Sequence, residues 1–258
     1  MRRRLQGASF AIGLLLALVV PAATIGTAAT PRPLVVTLAA NGARGGTRSG
    51  APVSPCTRRG ARLSFAAGLA CLKTRVEFGG AYNRSALFGS TWIDANGDGL
   101  NTRADVLIAE STIPVTMRPS GRTVGSGRWH SLYDNLWVTS AAALDIDHLV
   151  PLAEVWRSGA SSWSGERRLR YANDVGVPWT LRAVSSGPNR AKGDSDPASW
   201  MPPYRGAWCT YLVEWVEVKI RWRLAVDATE RSAIQRAWAQ AGCARRASPP
   251  IVSVVPAP

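Results

Sequence analysis

The sequence predicts an α+β fold: a mostly helical, disulfide-stapled single domain with a few short strands gathered in its middle. Three observations predict it. Segments between Gly127 and Val184 alternate apolar and polar residues as strands do, whereas the stretches from Cys209 and from Asp227 repeat apolar residues at helical spacing. Cysteines stand at 56, 71, 209 and 243, an even number in a chain that opens like an exported one. The 258 residues are 46% hydrophobic, enough to bury one sizeable core, which excludes a disordered or fibrous chain.

The elements follow in order. Arg2, Arg3 and Arg4, the apolar run Ala8 to Val20 and the small residues Thr27-Ala28-Ala29 read as a cleaved signal peptide over residues 1–29, hence a secreted protein; the run is too short for a membrane span. Residues 30–55, rich in Ala, Gly, Pro, Thr and Arg without periodicity, read as a flexible linker. The domain is expected over 56–243. Ala61 to Leu72 has helical spacing, and a Cys56 to Cys71 bridge would close it locally. Asp94, Asn96, Asp98, Gly99 and Asp105 fall at places one, three, five, six and twelve of a calcium loop; the same residues also suit a turn whose side chains bond their own backbone. Ala104 to Ser111 predicts a short helix.

Gly127 to Asp134 and Leu136 to Val138 predict a hairpin turning at Asp134-Asn135, with His130 as a surface or packing residue. Leu144 to Leu152 opens as a strand, Leu181 to Val184 is a second, and Asn189-Arg190-Ala191-Lys192-Gly193 can open or occupy a helix. Leu212, Trp215, Val216 and Ile220 share one helical face, and Asp227-x-x-Glu230 resembles a capping-box start of a second helix ending near Gly242. Cys209 and Cys243 would staple this pair, although four cysteines permit three pairings. Residues 244–258 read as a disordered tail. Trp156, Trp163 and Trp200 are expected in the core.

Charge narrows the partners. Thirty-one Lys and Arg against 17 Asp and Glu give a net charge of +14, which favours a polyanion such as nucleic acid or an anionic envelope and predicts salt-sensitive association. No Cys-x-x-Cys or His-x-His pair offers a zinc site, and no helix-turn-helix or zinc-finger pattern offers base reading.

Chemistry concentrates where the two middle strands and the following helix would bring Asp147, His148 and Asn189 together. Neutral imidazole can take a proton from water near working pH. A carboxylate and an amide oxygen suit magnesium or manganese while leaving places for water and phosphate. Arg190 and Lys192 could hold substrate phosphates as fork and point charge. Glu154 and Asp194 are accessory ligand candidates, with surface or capping roles as the competing reading.

The segments Asp145-Ile-Asp147-His148-Leu-Val-Pro151, Asn173 and Asn189-Arg-Ala-Lys192 resemble the active site of HNH endonucleases whose last His is replaced by Asn. Trp92 to Gly99, Asp147 to Trp156, Tyr171 to Asp174, Asn189 to Pro197 and Trp215 to Lys219 extend the resemblance, over roughly Gly79 to Cys243, to secreted bacterial HNH proteins related to GmrSD-type nucleases. The resemblance implies a ββα-metal core at about residues 144–200. It implies His148 as general base, Asp147 and Asn189 as metal ligands, Asp145 orienting a neighbouring ligand, Asn173 bracing the loop that bears the base, and Lys192 within the catalytic set. Relatives carry Cys where Leu100 stands and another before Gly127; their joint absence fits the loss of one disulfide. The expectation is a secreted, monomeric endonuclease that hydrolyses DNA, with RNA as a further substrate class, using Mg2+ or Mn2+ and little sequence specificity. Two rivals are a non-catalytic, calcium-stabilised envelope- or polyanion-binding module, and a nuclease-like binder that cuts nothing.

Overall fold

The computed structural model describes residues 53–258; the signal-peptide reading and most of the linker reading lie outside them. Strand β1 (Arg62–Leu63) and helix α1 (Phe65–Ala70) are followed by α2 (Arg84–Phe88) and α3 (Thr102–Glu110). Then come β2 (Thr116–Met117), β3 (Val124–Ser131), β4 (Leu136–Ser140) and β5 (Leu144–His148). Helices α4 (Leu152–Ser158) and α5 (Gly165–Ala172) lead to β6 (Leu181–Ser185), which runs directly into α6 (Ser186–Lys192). Long helices α7 (Trp208–Trp222) and α8 (Ala228–Gln240) precede the last strand, β7 (Val252–Ser253). The α+β expectation holds.

Strands β2, β3 and β4 form one antiparallel sheet, and β5 pairs antiparallel with β6 so that Asp147 faces Arg182 and His148 faces Leu181. The β3–β4 hairpin turns where expected. Asn135 takes the left-handed conformation (φ 61°) that Asn tolerates, and its N–H donates to Ser131 O at 3.0 Å.

The β5–β6 ribbon lies between two apolar clusters. Leu144, Ile146, Leu181 and Ala183 pack with Ala104 and Leu107 of α3 and with Trp129 of β3. Val184, with Leu149 and Val150 after β5, joins the larger cluster built on Tyr171, Leu212, Trp215, Val216 and Trp222. Alternation along the strands therefore serves both sides. Trp156, Trp163 and Trp200 pack against the larger cluster as expected.

Helix α7 is buried around its whole circumference rather than along one face. Burying its charged residues requires partners, and each has one. Lys219 Nζ lies 2.8 Å from Glu154 Oε1 and 2.7 Å from Glu230 Oε2, Arg221 forks onto both oxygens of Asp174 at 2.7 and 2.8 Å, and Glu214 accepts from Arg182. Two sequence readings change here. Glu154 is not a surface residue and does not line the cavity of the metal-ligand candidates; it is fully buried, its two oxygens taken by Lys219 and Arg157. Asp227 caps α8 by accepting from the Thr229 and Glu230 N–H groups at 2.6 and 2.8 Å, but the Glu230 carboxylate turns inward to Trp215 Nε1 and Lys219 instead of completing a capping box.

Both disulfides form as expected, Cys56–Cys71 with Cα atoms 5.4 Å apart and Cys209–Cys243 with 5.6 Å. The disordered-tail reading is corrected. Residues Val252 and Val254 are fully buried, β7 pairs with β1, and the Ser253 N–H donates to Glu217 Oε1 at 2.6 Å. Only Val252 and Ser253 pair, so the Val252-Ser253-Val254 alternation is too short to mark a strand in the sequence. Among the described residues no helix is long and apolar enough to cross a membrane.

Candidate active site

Asp145 and Asp147 alternate along β5 and thus share one face of the ribbon, the face on which α6 packs. Helix α6 can start within the first residue after β6 because Pro188 sits in its first turn, where a missing N–H costs nothing. This continuity brings Asn189 opposite β5, with Asn189 Nδ2 3.2 Å from Asp145 Oδ2. Asp147, His148 and Asn189 line a single cavity of 220 Å³ together with Tyr82, Arg84, Arg190 and Asp194.

Asp147 is 6% exposed, and its Oδ2 atom is held by two donors. Lys192 Nζ lies 2.5 Å away, and Tyr133 donates its hydroxyl to the same oxygen. Lys192 also donates to the His148 carbonyl at 2.9 Å. Burial pushes the Asp147 carboxyl upward and the Lys192 ammonium downward, while their mutual attraction opposes both shifts. Among the described residues Asp147 Oδ1 accepts no hydrogen bond and is the oxygen left for the cavity.

The phosphate-contact reading of Lys192 is therefore corrected. At 1% exposure its ammonium reaches no ligand; the last turn of α6 points it inward onto Asp147. Exposed cations at the cavity are Arg190, whose Nε lies 3.5 Å from Asp145 Oδ2, and Arg84, at the start of α2, which makes no ion pair among the described residues.

His148 is 7% exposed and lies between two rings, Trp92 at 5.2 Å and Tyr171 at 6.1 Å between centroids, both close to parallel with it. Its Nε2 lies 2.9 Å from the Ala172 carbonyl. A carbonyl only accepts, so Nε2 carries the proton and Nδ1 is the ring's lone-pair nitrogen. Burial pushes the imidazole down to about 3, so the ring is neutral at ordinary pH.

Asn173 caps α5 and holds a different segment from the one expected. Its Oδ1 accepts from the Ile93 N–H at 3.3 Å, and its Nδ2 donates to Leu169 O at 3.1 Å, so it anchors the strand of chain bearing Trp92 while its neighbour Ala172 holds the imidazole. The Asp94 loop satisfies its own backbone: Asp94 accepts from Gly97 and Gly99, Asn96 from Asp98, and Asp98 from Leu100. Asp105, in the first turn of α3, is pushed upward by burial and then by Asp98 and Asp94. Asp194 lies exposed on the cavity rim.

Three residues escaped the sequence reading: Tyr133, Arg84 and the ring-stacking role of Trp92. Tyr133 carried a usable signal. Trp129 and Ser131 face inward on β3, so continued alternation sends Tyr133 inward too, and a buried phenol needs a partner.

The family model for the C-terminal domain of GmrSD restriction endonucleases matches residues 108–237, half of the chain and the part that holds the cavity's β5, β6 and α6. An uncharacterized secreted protein of the fungus Arthroderma benhamiae is 42% identical over 144 residues, 55% of this chain and 68% of its own. That relative is fungal, so it supports the GmrSD-type family but not the bacterial group named in the sequence reading. No solved structure matches.

Proposed function

The chain belongs to the family of GmrSD restriction endonuclease C-terminal domains, and from that premise we propose that it is a secreted, metal-dependent endonuclease that hydrolyses phosphodiester bonds of DNA, and of RNA as a second substrate class. The observation that carries the reading is the single cavity lined by Asp147, His148 and Asn189. Its β5–β6–α6 surround is read as the ββα-metal core. The relative's description as secreted and the two disulfides support export.

The donors suit a hard divalent cation: the Asp147 carboxylate and the Asn189 amide oxygen, with the Asp145 carboxylate beside Asn189, are all oxygen ligands from two adjoining elements. Magnesium or manganese bound there would supply Lewis acidity against charge developing on the phosphate. The chain's own groups do the rest. Arg84 and Arg190 hold the phosphodiester at the cavity mouth. His148 Nδ1 accepts a proton from water as the water oxygen bonds to phosphorus and the bond to the departing sugar oxygen breaks. Trp92, Tyr171 and the Ala172 carbonyl fix the plane and tautomer of that imidazole. Tyr133 and Lys192 grip one oxygen of Asp147 and leave the other for the cation. Among the described residues no element is built to read bases, so cutting is expected to be sequence-tolerant.

The test is incubation of the purified protein with supercoiled plasmid, single-stranded DNA and RNA, with Mg2+ or Mn2+ and with chelator. Wild type is expected to nick and linearise the plasmid, chelator to stop it, and His148→Ala to lower the rate by about a hundredfold or more. An intact plasmid in the presence of either ion, or a His148→Ala protein that cuts like wild type, refutes the reading.

A further inference from the structure

We infer that the outward face of the β3–β4 hairpin binds a single nucleic-acid strand by stacking its unpaired bases on Trp137. The inference rests on the nuclease reading for the identity of the ligand; the surface itself stands on its own geometry. Trp137 is 53% exposed, a large apolar group on the solvent side of the sheet, the side it shares with His130 and Arg128. Trp137 is in register with His130 across the hairpin, the two rings 5.0 Å apart, and the Arg128 guanidinium lies 4.3 Å from the centre of the indole. His130 is itself fixed by Asn135, its Nε2 2.9 Å from Oδ1. The strip Arg128–Trp137–His130 is thus preordered, so little side-chain freedom is lost when a base settles on it.

Charge selects the occupant. From Ser111 to Leu144 the chain carries Arg118, Arg122 and Arg128 and a single carboxylate, Asp134. All three arginines are exposed, and none makes an ion pair among the described residues. An indole with one guanidinium beside it, on a sheet whose far turn carries Arg118 and Arg122, suits a strand-tracking surface: bases stack while phosphates meet the cations along it. In a duplex the base faces are already covered, so the indole has nothing to take up; the ligand is an unpaired strand. Position supports the same role. The hairpin that displays Trp137 outward sends Tyr133 inward to Asp147, and Ser131 Oγ accepts from the Ser185 N–H at the start of α6 at 3.0 Å. The face and the cavity are thus joined through the same hairpin.

The experiment measures fluorescence anisotropy of a labelled short oligothymidine and of its abasic counterpart, equal in charge, with chelator present to prevent cutting. Wild type is expected to bind the thymidine strand about tenfold more tightly than the abasic one. Trp137→Ala should erase that preference, Trp137→Phe should keep part of it, and Arg128→Ala should weaken both ligands; melting temperatures report that each variant is folded. Equal binding of the two strands by wild type overturns the inference, as does a Trp137→Ala protein that keeps the preference. A dimer that Trp137→Ala splits, with oligonucleotide affinity unchanged, overturns it too, because the face then serves a second copy of the chain. Plasmid cleavage with Mg2+ is read in parallel. Cleavage without any Trp137 dependence of binding retires this inference alone, whereas base-dependent binding by a protein that never cuts supports it and retires the nuclease reading.

Discussion

Replacing Lys192 by Met separates a cation that grips the protein from one that grips the substrate. In the structure Lys192 Nζ is 2.5 Å from Asp147 Oδ2, 2.9 Å from the His148 carbonyl and 3.4 Å from the Tyr133 hydroxyl, with no side-chain surface left for a ligand. Met fills similar space but leaves Asp147 buried with one donor. Breaking a buried pair from one side costs about 3–5 kcal/mol, and in a domain of this size each kcal/mol lowers the melting temperature by about 2–4 °C. The expected loss is therefore about 6–20 °C. Because the stranded carboxyl gains a still higher proton affinity than in the unfolded chain, stability is lost as pH rises, and the deficit should be smaller at pH 5 than at pH 8. Adding Asp147→Asn removes the stranded charge and should recover part of the loss. Circular-dichroism melts of the three proteins decide the matter. A Lys192→Met protein that melts within about 2 °C of wild type while needing more DNA for half-maximal rate would return Lys192 to the substrate and refute the clamp.

Two further outcomes follow from the same geometry. Tyr133→Phe keeps the ring but not the bond to Asp147, and should slow plasmid cleavage by about tenfold or more, with the deficit narrowing at high Mg2+; an unchanged rate would remove Tyr133 from the site. Glu110 and Glu217 are each pushed up to about 7 by burial, so the folded protein holds protons that the unfolded chain releases above about pH 4.5, and stability falls as pH rises from there through 7; His148, pushed down to about 3, works the other way below 6.5. Glu217→Gln should therefore gain melting temperature relative to wild type between pH 5 and 7.5, and a constant gap would contradict the assignment.

The elements with strong local signals were legible in the sequence. The hairpin turn at Asn135, both disulfides and the strand Leu144 to His148 all carry their cause within a few residues: a side chain that tolerates positive φ, cysteines flanking a single helix or helix pair, and alternation. The cavity was legible in part. Asp147, His148 and Asn189 do line one space, because β6 leads into α6 without a loop. What escaped depends on groups distant in the chain. Whether a Lys in the last turn of a helix faces water or a carboxylate is settled by the helix's rotation against β5, not by its own neighbours. Periodicity likewise marked one apolar face of α7 but not its opposite side, where charge is neutralised by Glu154, Asp174, Arg182 and Glu230, all remote in sequence. The tail's Val252-Ser253-Val254 alternation is too brief to stand out among its prolines.

That closing strand has a consequence for how the molecule comes into being. Val252 docks onto the backbone at Gly68, where even one added methyl would collide with it, and the Arg221 guanidinium binds the Val255 and Pro256 carbonyls. Helix α1 therefore acquires its cover only once the ribosome has passed Val252, and contacts so far apart in the chain form late and slowly, so α1 spends that interval with its Gly68 face open to water.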